Sequence, residues 1–153
     1  MTEQVFPIHA SIRQQTFRRL LHAMSMPGEI QPITDRACLP VFLLVLDTLV
    51  DGSVTLSDVD NLIPPLALRA LRAPLTTSEE ARFVLADASR SVVDTFRVDR
   101  GTLISPERGA TVVLNGDSIS ANEAPDEDFL TVRLSGPGIA ASRILALRGF
   151  HPS

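Results

Sequence analysis

Apolar positions recur at helical spacing in the first third of the chain and alternate in the last. Phe17, Leu20, Leu21 and Met24 fall three and four residues apart, the period of one helix face. A helix is therefore predicted from 11 to 25, with that face covered by the rest of the fold and Arg18, Arg19 and His22 pointing the other way. Ser11 with Gln14 three residues on offers a capping-box start, and Pro27 disfavours helical geometry at Met26. Gly28 then supplies a permissive turn residue. A second helix is expected from Pro40 through Phe42, Leu43, Leu44, Leu46 and Leu49, apolar all round and so buried.

Beyond the Asp51-Gly52 turn the period shortens. Val54 and Leu56 alternate as in a strand over 53–56, and Ser57 is expected to cap a helical piece with Asp58 and Asp60 in its first turn. Pro64-Pro65 breaks it, and Leu66, Leu68 and Leu71 begin a short second segment. Residues 81–87 read as a strand with a buried middle, 91–96 as one or two helical turns, and 110–114 as an interior strand. A polar excursion over 118–128 carries Asp126, Glu127 and Asp128, a solvated tip. Phe129 to Leu134 alternates strongly, and a Ser135-Gly136-Pro137-Gly138 turn leads into an apolar stretch over 139–147. Val5, Phe6 and Ile8 suggest an arm laid on the domain. Strands interleaved with helices argue for an α/β fold: a three-layer mixed sheet flanked by helices, in one domain spanning 1–153.

Composition narrows the function classes. A net charge of −4 and a pI near 5.3 argue against broad binding to a nucleic-acid backbone, and Trp and Tyr are absent. The lone Cys38 has no internal disulfide partner, and the apolar run 41–46 is far below the ~18 residues of a spanning helix. With no basic-apolar leader at the start, the cytoplasm is the expected location. All 14 basic residues are Arg. Without lysine, no side-chain Schiff base with pyridoxal phosphate can form.

Candidate chemistry is sparse. Gly136, Gly138 and Ala141 spell G-x-G-x-x-A after a predicted strand, which opens an alternative reading: a free-standing enzyme binding a nucleotide or phosphate ester through the Gly136 to Gly138 loop. That fingerprint needs an acid about twenty positions on, whereas 12 residues follow Ala141 in this sequence, and Pro137 removes one N–H. His9, His22, His151 and Cys38 lack zinc-site spacing, and no G-x-S-x-G elbow occurs. Arg18 and Arg19 offer planar forks to a phosphate or phosphonate, against the plainer reading of solvated helix arginines.

The opening helix also carries particular words. Phe17, Arg18, Leu20, Leu21, Ala23, Met24, Ser25, Pro27 and Gly28 spell a run that resembles the amino-terminal signature of PhnH, a subunit of the bacterial carbon–phosphorus lyase system. The likeness continues through 43–56, Ala73-Pro74-Leu75, the words Gly101-Thr102, Ser105-Pro106-Glu107 and Gly109-Ala110-Thr111, and Leu134 to Ile139. Two departures stand out. Ala70-Leu71-Arg72 replaces a His-Thr step, and the sequence stops before the family's closing Phe-Pro-x-Gly-x-Asp strand pair.

The resemblance implies a fold similar to the large domain of pyridoxal-phosphate-dependent transferases, without the cofactor. It implies an accessory subunit, with catalytic residues placed in PhnI, working beside PhnG, PhnI and PhnJ, and with PhnL in the nucleotide step. That step exchanges the adenine of ATP for an alkyl phosphonate, giving α-D-ribose 1-methylphosphonate 5-triphosphate from methylphosphonate. A sheet edge left bare by the absent strands, with the family's tendency to pair, points to a homodimer. Arg18, Arg19, Ser25, Gly28, Ser135, Gly136 and Gly138 are the expected anion or partner contacts. No catalytic residue, metal, cofactor, nucleic acid or membrane is expected.

Overall fold

The computed structural model describes residues 8–33, 39–90, 96–121 and 128–152. Its hub is the apolar helix α2 (Val41–Leu49), in which Leu43, Leu44, Val45, Leu46 and Asp47 are all buried. One side of α2 packs with Leu56, Ile63, Ala67, Leu71 and Leu85. Leu44 instead joins Ile8 and Leu39, with Ile12 and Ile33 packed against them. A short helix that is apolar all round is stable only between two layers, and α2 occupies that place.

Helix α1 (Ala10–Ser25) starts one residue earlier than expected and ends at Ser25. Its cap is His9, not a Ser11–Gln14 box: Nδ1 of His9 accepts from the Ser11 N–H at 3.3 Å. The larger correction is the face. Thr16 is the buried residue of α1, while Phe17, Leu21 and Met24 are 45%, 49% and 77% exposed. The helix turns the neighbouring stripe inward: Thr16 is buried there, Ile12 packs against the cluster that holds Leu44 of α2, and Arg13 reaches α2 beside it. Periodicity identified an amphipathic helix but not which of two adjacent stripes would find a partner.

A β1–α3–β2 unit follows, with β1 (Leu56–Asp58), α3 (Pro65–Leu71) and β2 (Phe83–Asp87). With β3 (Thr111–Asn115) they form a parallel sheet in the order β1-β2-β3, Val84 lying beside both Ser57 and Val112. Buried Val84, Leu85 and Ala86 explain the unbroken apolar reading of β2. Two expectations shift. The strand expected at 53–56 lies at Leu56–Asp58, and no helix starts at Ser57, because the Asp58 carboxylate accepts from the N–H groups of Leu62 and Ile63 at 2.9 and 2.8 Å and holds a turn. The strand near 110–114 forms, but at the sheet edge, with Leu114 37% exposed.

A second, antiparallel sheet holds β4 (Ser118–Ser120), β6 (Arg143–Arg148) and β5 (Phe129–Leu134) in that order. The fold is thus mixed α/β, but the strands divide into two three-stranded sheets where one mixed sheet was expected. After β3 the chain turns at Gly116-Asp117, where the Asp117 N–H donates to Arg148 O, and β4 pairs with β6 instead of extending the parallel sheet. Ala88 donates to Asn115 O and His151 to Ala88 O, so the two sheets join there. The expected turns over 91–96, the Asp126-Glu127 tip, Cys38, Val5 and Phe6 lie outside the described residues, residue 96 apart.

Candidate functional site

The two stretches singled out by their wording meet in space. Helix α1 closes with the Met26 N–H on His22 O, and Glu29 N–H returns to Met26 O, so the Pro27-Gly28 turn is tight. Gly28 has φ +85°, and a Cβ there would lie 2.9 Å from Cδ of Arg143 and 3.2 Å from Cδ1 of Leu134. Gly138, at φ +84°, would bring its Cβ to 3.0 Å from Cδ of Pro27 and 3.6 Å from the Ser25 carbonyl. Glycine at both positions lets the end of α1 seat against the β5–β6 hairpin.

An ionic clasp crosses the same junction. Glu29 Oε1 accepts from Arg143 Nη2 at 2.9 Å, and its Oε2 accepts from His22 Nε2 at 2.8 Å. The bond with His22, then that with Arg143, holds the Glu29 carboxyl below the usual carboxylate range. One carboxylate thereby joins α1, the segment after it and β6. Glu29 and Arg143 carried no signal in the sequence, since they stand 114 positions apart.

The expected contact residues divide. Ser25, Gly28 and Gly138 lie together at the junction. The Ser25 hydroxyl donates to Leu21 O at 2.8 Å within its own helix. Ser135 and Gly136 belong to the exposed tip of the hairpin, and nothing lies within 4 Å of the position a Gly136 Cβ would take. Arg19 donates to the Gln31 amide oxygen at 3.2 Å and, with Leu20, Ala23, Gly28, Ile30, Ile119 and others, lines a cavity of about 270 Å³ between α1 and the antiparallel sheet. Arg18 faces solvent on another side of α1, with no partner among the described residues.

The G-x-G-x-x-A reading fails on context. That fingerprint needs a strand running through the glycine turn into a helix, whereas here the turn links two antiparallel strands. Pro27 also fills the space beside Gly138.

The other polar clusters hold the frame. Arg13 grips buried Asp47 with two bonds, and Asp60, 7% exposed at its side chain, accepts from the Asp87 N–H at 2.8 Å and from Arg90 at 2.6 Å. Every buried side-chain N or O atom among the described residues has a partner. Among the described residues no group of three His, Cys, Asp or Glu is placed to hold a metal ion, and no helix is long and apolar enough to cross a membrane.

The chain is a mixed α/β domain whose marked residues meet at a structural junction. Residues 5–153 match the family described as bacterial phosphonate metabolism protein (PhnH). HtxG of Stutzerimonas stutzeri, named as a C-P lyase subunit protein, is 39% identical over 151 residues, covering 98% of this chain and 72% of its own length. The chain belongs to the PhnH family.

Proposed function

We propose that this chain is an accessory subunit of the carbon–phosphorus lyase core complex in alkylphosphonate catabolism, supporting formation of α-D-ribose 1-methylphosphonate 5-triphosphate from ATP and methylphosphonate. The observation that carries the reading is family membership over residues 5–153. The name of HtxG as a C-P lyase subunit protein adds to it.

Its partners in this reading are PhnG, PhnI and PhnJ, with PhnL in the nucleotide step, and its place is the cytoplasm. The fold is related to that of the pyridoxal-phosphate-dependent transferases but works without the cofactor, consistent with a chain that has no lysine. Two copies pair through a sheet edge left without a neighbouring strand. Ser25, Gly28, Ser135, Gly136 and Gly138, with Arg18 and Arg19, are the contacts for a partner or an anion.

Purification of the tagged protein from phosphate-starved cells tests the reading. PhnG, PhnI and PhnJ should be recovered with it, and the chain alone should not turn over ATP with methylphosphonate. Recovery of none of them, with turnover of a nucleotide or phosphonate by the isolated chain, would overturn it.

A further inference from the structure

The signature helix has a face that the fold leaves bare. Phe17, Leu21 and Met24 form an apolar stripe two turns long, at 45%, 49% and 77% exposure. A contiguous stripe of large apolar side chains on an ordered helix marks an interaction surface more often than isolated exposed residues do.

Charge says what kind of surface fits. Between Ala10 and Ser25 the chain has Arg13, Arg18, Arg19 and His22 and no acidic residue, within a chain of net charge −4. Asp47 engages Arg13, Gln31 engages Arg19, and Glu29 engages His22. Arg18, next to Phe17 and three residues before Leu21, is left without a partner among the described residues. A second copy presenting this same face would set one basic helix against another, which like-charge repulsion opposes.

We propose that Phe17, Leu21 and Met24, bordered by Arg18, dock a different subunit of the carbon–phosphorus lyase assembly through an apolar strip edged with carboxylates. The inference rests on the subunit reading above and names the surface that serves it. Binding buries the stripe and gives Arg18 a carboxylate partner, so the apolar contacts set the lifetime of the complex and the charge sets its partner and salt dependence.

The test uses the full-length tagged chain with co-expressed PhnG, PhnI and PhnJ, each captured subunit being identified by mass. Leu21→Asp should weaken capture by at least roughly 30-fold, the range of an interface hot spot. Leu66→Asp, the same change at an exposed leucine of α3, should leave capture unchanged. Arg18→Glu should weaken capture by roughly 10-fold at 0.05 M salt and much less at 0.5 M; its position is exposed, so it carries the test if Leu21→Asp does not fold. Wild-type capture with undiminished capture by both α1 variants overturns the docking face while leaving the subunit reading standing, and equal loss in all three variants overturns it as well. Capture of no subunit by the wild type overturns both. A dimer in light scattering that Leu21→Asp dissociates assigns the face to a second copy and overturns the proposed partner.

Discussion

The guanidinium of Arg13 holds the carboxylate of Asp47 in a two-pronged grip, Nε to Oδ2 at 2.5 Å and Nη2 to Oδ1 at 2.8 Å. The Asp47 side chain is 1% exposed and that of Arg13 44%. Removing the arginine strands a charge inside the core, so Arg13→Met should destabilise by about 2–3 kcal/mol, reduced from the fully buried case by solvent around Arg13. The double variant Arg13→Met, Asp47→Leu should recover most of that loss in urea melts. Equal losses in the single and double variants would show that the pair does not couple α1 to α2.

Leu46 and Leu21 should respond in opposite ways to truncation. Leu46 is 0% exposed within the main core cluster, so Leu46→Ala should cost about 2–5 kcal/mol. Leu21 reads as core from its spacing but is 49% exposed, and Leu21→Ala should cost less than about 1 kcal/mol. A large loss at Leu21 in the isolated chain would contradict the bare face of α1.

Substitution of two glycines separates close packing from backbone preference. Gly28→Ala meets Cδ of Arg143 as well as a left-handed backbone and should cost about 2 kcal/mol or more. Gly136→Ala meets no atom within 4 Å, leaving about 1 kcal/mol of backbone strain. Denaturant melts giving equal losses would show that the α1–hairpin junction is loose.

Glu29 sets part of the acid response. Its carboxyl is held below the usual range in the folded state, so its contribution to stability is fully present above the unfolded carboxylate pKa and is lost as pH falls through the folded value. Asp51 and Asp87 are lowered as well and weaken on the same side. Glu29→Gln should therefore be less stable than wild type at pH 7, with the difference shrinking below about pH 4. A difference independent of pH would point to packing as the cause.

Pyridoxal phosphate should form no aldimine band with this protein beyond that of the amino-terminal amine, because no lysine is present. A stoichiometric band that survives blocking of the amino terminus would overturn the cofactor-free reading.

Local chemistry in the sequence determined a good deal of this molecule. Pro27 and Gly28 end α1, the apolar run after Pro40 makes α2, and the alternation from Phe129 to Leu134 makes β5 with those bounds. These depend on steric preference and on hydrophobic period, which act over a few residues. The family words were legible for a related reason, since turns such as Pro27-Gly28 and Ser135 to Gly138 need particular residue types. Tertiary structure alone decided which stripe of α1 was buried, because Ile12 packs into the cluster that holds Leu44 of α2. It also decided that the strands split into two sheets and that Glu29 meets Arg143 across 114 positions. Strand pairing and ion pairing between distant segments depend on where the chain returns, and no local period encodes that return.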